Sequence, residues 1–142
     1  MSEFQRESSP PGDRAVCVST EDAPAAVGNY SQAIVTSGTR TLYASGQIGL
    51  VPGRPELGIP GDVAQQTEQV MANLRAVLTA AQMSFANVVR ATIYLADIGD
   101  FAVVDEIYGR TFEQGSKPAR VTIQAAALPK GALVEIDVIA VA

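Results

Sequence analysis

Histidine is absent from this 142-residue sequence, and cysteine occurs once, at Cys17. Without an imidazole there can be no Ser-His-Asp triad, no Cys-His pair, no paired-histidine nuclease and no His-ligated zinc. Acid–base chemistry must then come from Asp, Glu, Tyr, Lys, Cys or water. A lone thiol excludes an intrachain disulfide and a four-cysteine metal cage, and it suits a reducing compartment. Charge is also scarce. Only 18% of residues are charged, against about 25% in ordinary soluble domains, which points to surface hidden in a permanent subunit contact. The net charge of −5 repels phosphate backbones, so nucleic acid is a poor partner. No basic start leads into an apolar stretch of signal-peptide type, and no apolar run approaches the ~18 residues of a membrane span. The expectation is a soluble, cytoplasmic protein that engages no membrane.

Chemistry built on nucleotides or Schiff bases is equally unsupported. Gly46 and Gly53 lack the spacing of a phosphate-cradling loop and lead into no helix N-terminus. Lys117 and Lys130 sit in loops beside proline and glycine, whereas a Schiff-base lysine needs a desolvated pocket. No structural metal and no nucleotide cofactor is expected.

What is present is a strand and helix pattern of one domain's length. Residues 1–14 are polar, contain Pro10, Pro11 and Gly12, and read as a mobile tail. Ala15 to Val18 starts a strand. Ala33 to Val35 and Thr41 to Ala44 follow as two more, separated by five residues that suit a hairpin. Leu50 to Gly61, rich in proline and glycine, reads as a long loop. Asp62 and Gln65 then have capping-box spacing ahead of Val70, Met71, Leu74, Val77 and Leu78, so a long amphipathic helix is predicted. Alternation across Val89, Ala91, Ile93 and Leu95 gives another strand. A second helix opens at Gly99-Asp100, with Phe101, Val104, Ile107, Tyr108 and Phe112 on one side. Ala119 to Ala127 and Ala132 to Ala140 close the order β β β α β α β β. That order predicts a mixed α/β sheet of about six strands covered on one face by two helices.

Two strands carry charge among apolar residues. Arg120 shares a face with Thr122 and Gln124, and Glu135 shares one with Asp137. Buried charges need partners, water or a function. If the last two strands formed a hairpin, Glu135 would stand four residues from Arg120, or about 13 Å. Either the strands are not neighbours, or each charge finds a partner elsewhere.

Taken in order, Ala23-Pro-Ala-Ala-Val-Gly-Asn-Tyr-Ser-Gln32, Ser45-Gly46-Gln47-Ile48, Asp100-Phe101, Pro118-Ala119-Arg120 and Glu135-Ile136 resemble the RidA (YjgF) family of enamine/imine deaminases. The resemblance runs from about Cys17 to Ala142, so residues 15–142 are expected to form one RidA-like domain. It implies a chorismate-mutase-like fold, a homotrimer with clefts between subunits, and a last strand inserted within the sheet, which removes the hairpin difficulty. It also implies hydrolysis of 2-imino or enamino acids to 2-keto acids and ammonia without a cofactor. Arg120 would hold the substrate carboxylate and Glu135 would handle water. Tyr30, Gly46, Asp105 and Thr122 would line the cleft. A trimeric, non-catalytic binder of keto acids is the competing expectation, while ribonuclease activity is disfavoured by the acidity and the missing histidine.

Three residues depart from the family pattern. Asn29 stands where most members have proline, which loosens the backbone ahead of Tyr30. Thr122 replaces a common cysteine, and Asp105 replaces a pocket asparagine. An ionised Asp105 beside Arg120 would compete with an incoming carboxylate or favour a substrate with a cationic group. Pointing away on the helix surface, it would do neither.

Overall fold

Asp62 and Gln65 start the first helix as their spacing predicts. In the computed structural model, which describes residues 15–54 and 58–142, Asp62 Oδ1 accepts from the Gln65 amide at 2.9 Å and Gln65 Oε1 accepts from the Asp62 amide at 3.0 Å. The expected tail and residues 55–57 of the long loop lie outside the described residues. Helix α1 spans Val63–Ala80 and buries Val70, Leu74 and Leu78 completely, each worth about 1.5–3 kcal/mol of transfer free energy. It stops where Gln82 takes a left-handed φ of 58° and the Met83 amide returns to the Leu78 carbonyl.

The strands are β1 (Ala15–Val18), β2 (Ala33–Thr36), β3 (Thr41–Tyr43), β4 (Val88–Leu95), β5 (Ala119–Gln124) and β6 (Val134–Val141), with α2 at Phe101–Thr111 between β4 and β5. Six strands and two helices therefore appear in the expected order. Their hydrogen bonding forms two groups, an antiparallel β1-β2 pair and a four-stranded sheet ordered β3-β6-β4-β5. β5 runs parallel to β4, and β6 is antiparallel to both β3 and β4.

The expected hairpin between the second and third strands does not form. β2 pairs with β1 instead, and β3 pairs with β6. Its turn is captured by the far end of the chain: the amides of Thr39 and Arg40 donate to the Ala142 carbonyl, and the Ala142 amide donates to Arg40. β5 is also shorter than predicted, because past Gln124 the chain turns through Pro129–Gly131, where Lys130 has φ 56°. β6 accordingly begins at Val134 rather than Ala132.

Alternation in the two central strands divides the sheet into two faces. Ala91, Ile93 and Leu95 of β4, with Val134, Ile136, Val138 and Ala140 of β6, are buried with α1 and α2. Thr92 and Tyr94, with Glu135 and Asp137, occupy the opposite face and are half-buried. On that same face Tyr43, Val121 and Ile123 are exposed. In β5 the apolar side is thus the outer one, and the side bearing Arg120 turns toward the helices. Among the described residues no helix is long and apolar enough to cross a membrane.

Candidate functional site

Arg120 lies on the edge strand β5 in register with Ala91 of β4, which points its side chain toward α2. Although the edge backbone is open, the side chain is only 4% exposed. Helical spacing explains what surrounds it. Phe101, Asp105 and Tyr108 fall at i, i+4 and i+7 on α2, one above another on a single face. The guanidinium carbon lies 5.5 Å from the Phe101 ring centre and 5.2 Å from that of Tyr108. Tyr30 adds a third ring at 5.7 Å from its own loop. Asp105 pairs directly with Arg120, Oδ1 accepting from Nη1.

Asn29 fixes the loop that carries Tyr30. Its Nδ2 donates to Asp105 Oδ2 and to the Asp105 carbonyl, both at 3.1 Å, while its Oδ1 accepts from Lys117 Nζ at 2.9 Å. A Cβ at Gly109 would come within 2.8 Å of Asn29 Cγ, so α2 is bare of a side chain where the asparagine lands. The backbone freedom expected from losing proline is met by side-chain hydrogen bonds. Next to it the Ser31 amide donates to the Pro118 carbonyl at 3.1 Å and its hydroxyl to the Lys117 carbonyl. The loop is sewn to both α2 and the entry to β5.

Arg120 uses one of its five N–H donors in a hydrogen bond among the described residues, and Nη2 faces Gly28, where a Cβ would stand 3.8 Å away. Two hydroxyls nearby, Tyr108 Oη and Thr122 Oγ1, are buried without a hydrogen-bond partner among the described residues. Burial raises the Tyr108 pKa above its ordinary range, with Asp105 adding to the rise and Arg120 opposing it. Tyr108 therefore stays a neutral phenol.

Glu135 belongs to a second cluster. Gln47 exchanges backbone hydrogen bonds with Ile136 at 2.9 and 3.1 Å, which draws Gly46 alongside β6. A Cβ at Gly46 would lie 2.9 Å from Glu135 Cδ and 3.0 Å from Cγ, so a side chain there would push the carboxylate aside. Glu135 accepts no hydrogen bond from any described residue, whereas its neighbour Asp137 accepts from the Tyr94 hydroxyl at 3.0 Å. That hydrogen bond is the main reason the Tyr94 pKa is raised.

The six candidate residues thus fall into two groups. Tyr30, Asp105 and Arg120 meet, with Thr122 on the same face of β5; Gly46 and Glu135 meet on the other side of the sheet. From Arg120, opposite Ala91, to Glu135, opposite Tyr94, the path crosses two strand spacings of about 4.8 Å and three residues of about 3.3 Å, or about 14 Å in all. Sequence reasoning missed Lys117 as the support of Asn29, and it placed Phe101 and Tyr108 on one side of the second helix without linking either to Arg120. The i, i+4, i+7 spacing was the available signal. Among the described residues no three His, Cys, Asp or Glu side chains gather as a metal site requires.

The fold is that of a small α/β domain in which an aromatic-caged arginine on one face of the sheet stands apart from a carboxylate, Glu135, on the other. A family model described as endoribonuclease L-PSP matches residues 20–142. A 2-iminobutanoate/2-iminopropanoate deaminase of Rattus norvegicus is 52% identical over 124 residues, covering 87% of this chain and 88% of the rat protein. Among solved structures, a Rid-family protein, YyfA of Yersinia pestis, superposes with a TM-score of 0.69 at 43% identity, covering 90% of this chain and 99% of that one. TdcF of E. coli, described with bound serine, gives 0.68 at 34% identity, covering 89% and 98%. The chain belongs to the RidA (YjgF) family.

Proposed function

We propose that this protein hydrolyses 2-imino acids to 2-oxo acids and ammonia, in clefts formed between the subunits of a homotrimer. One observation carries the reading: the Arg120 side chain is buried, ringed by three aromatics and, among the described residues, engaged through a single N–H. Such a guanidinium suits a carboxylate ligand, which it can grip through two charge-assisted hydrogen bonds. The relatives named as iminobutanoate and iminopropanoate deaminases support that choice of substrate. Because Glu135 and Arg120 face opposite ways, a second copy supplies the carboxylate to each cleft, as a head-to-tail ring allows.

The chemistry needs only water and a base. Glu135 takes a proton from water as its oxygen attacks the C=N carbon, giving a tetrahedral carbinolamine. The proton passes to nitrogen, the C–N bond breaks and ammonia leaves while Glu135 takes the remaining hydroxyl proton, so that the C=O of the 2-oxo acid forms. An iminium carbon is already electrophilic, so an imidazole is not required. Tyr30 closes the pocket over the ligand, and Thr122 offers a hydroxyl on the same side.

A non-catalytic binder of small amino or oxo acids is the second reading, favoured by the bound serine that the E. coli TdcF structure contains. The net charge of −5 opposes an RNA substrate. The test is to generate short-chain, branched and aromatic imino acids with an amino-acid oxidase and to follow 2-oxo acid formation. Acceleration above buffer, with a trimeric mass in solution, is expected. Binding of 2-oxobutanoate without acceleration would leave the second reading, and a monomeric mass would remove the shared cleft.

A further inference from the structure

We propose that Asp105 selects ligands carrying a cationic nitrogen next to the carboxylate, so that the site takes iminium and ammonium acids in preference to the 2-oxo acid product. The inference rests on the proposed pocket at Arg120 and deepens it by naming what the pocket rejects.

A 2-imino acid bears its nitrogen and its carboxylate on adjacent carbons. Reading both groups therefore requires an acceptor and a donor side by side. Asp105 and Arg120 provide that pair in direct contact. An ionised carboxylate offers about four acceptor positions, and Asp105 uses one on Arg120 Nη1 and one on Asn29 Nδ2 through its side chain. With its side chain 22% exposed, it can accept one more N–H. Arg120 meanwhile keeps Nη2 free of hydrogen bonds among the described residues, for the ligand's carboxylate.

Asp105 does not simply swing aside for an anion. Asn29 grips both its Oδ2 and its backbone carbonyl, and Lys117 grips Asn29 in turn. The charged groups at this spot are therefore Arg120, Lys117 and Asp105, and the carboxylate stays beside the guanidinium when the ligand enters. Against that carboxylate an iminium N–H donates, whereas the carbonyl oxygen of a 2-oxo acid brings lone pairs toward lone pairs. The same contact that favours substrate disfavours product, which speeds its departure.

Binding of L-2-aminobutanoate and 2-oxobutanoate, measured by calorimetry on the full chain, tests this without requiring turnover. The two ligands differ at the nitrogen-bearing carbon only. The parent is expected to bind the amino acid at least about tenfold more tightly, a difference of about 1.4 kcal/mol. Asp105→Asn keeps the shape but puts an N–H donor in place of an acceptor oxygen, and it should reverse the order. If the parent binds the oxo acid as tightly as the amino acid, binds neither, or if Asp105→Asn leaves the ratio within threefold, the proposal is wrong. Should the variant fold poorly, product inhibition of the parent decides: strong inhibition by 2-oxobutanoate overturns the idea, and weak inhibition agrees with it. A parent that shows the preference and its reversal but hydrolyses no imine would end the deaminase reading while leaving the role of Asp105 standing.

Discussion

Replacing Arg120 by alanine removes the guanidinium while leaving the apolar outer side of β5 intact. A carboxylate held by two charge-assisted hydrogen bonds, at about 1.5–3 kcal/mol each, loses about 3–6 kcal/mol of binding. At about 1.4 kcal/mol per decade, kcat/KM for 2-iminobutanoate should fall by about 10² to 10⁴. The fold should suffer much less. Three rings lose a cation worth about 0.5–2 kcal/mol to each, but the cost of keeping a charge in a side chain only 4% exposed disappears as well. Asp105, left behind, is open enough for water to reach it. Circular dichroism should therefore report an unchanged fold and a melting temperature lowered by a few degrees. Arg120→Lys keeps the charge but not the planar fork, and it should fall between parent and alanine. Rates come from the oxidase-coupled assay, melting from the same preparations. Turnover by Arg120→Ala within threefold of the parent would end the carboxylate-clamp assignment.

Glu135→Gln keeps the shape beside Gly46 but cannot take a proton, so kcat should drop by about 10² to 10⁴ while KM changes little; an unchanged kcat in steady-state assays would move the base elsewhere. Arg120→Ala and Glu135→Gln chains, unfolded together and refolded as a mixture, should regain activity in about a quarter of their clefts if each cleft draws on two subunits, whereas a site within one chain would regain none. Tyr108 gives a pH dependence. Its folded pKa lies above the unfolded value of about 10, so the stability it contributes is complete below that pH and is lost as the pH rises beyond it. With four tyrosines and no tryptophan, tyrosinate absorbance can be followed directly. Tyr108 should ionise only as the chain unfolds, and Tyr108→Phe should flatten the alkaline loss of stability. Four tyrosines ionising together near pH 10 in the folded protein would contradict this.

The elements most legible in the sequence were those specified by local chemistry. The Asp62–Gln65 capping pair fixes the start of α1 because both partners lie within one turn. Alternation in β4 and β6 tells which side chains face the helices. It does not tell which strand lies alongside, because period and partner are separate facts. The hairpin expected across residues 36–40 failed for that reason: the carbonyl that captures the turn belongs to Ala142, remote in sequence. The placement of the last strand within the sheet followed from family resemblance and agrees with the β3-β6-β4 order. Asp105 was readable only as a choice between facing Arg120 and facing solvent. Resolving it required the α2 face, where Phe101 and Tyr108 flank the carboxylate, and Asn29, which reaches it from another loop.

The position of β6 governs how this sheet can be completed. Up to Gln124 the chain holds β4 beside β5, but β3 has no ladder, and one side of β4 is an open row of amides and carbonyls. Val134–Val141 enters the gap and joins the two pieces through contacts spanning most of the chain, a wiring that slows folding and leaves sticky edges bare in the meantime. Clipping those eight residues would therefore do more than trim a terminus. It would take out the keystone, leaving β3 stranded and the ledge beneath Gly46 without a floor.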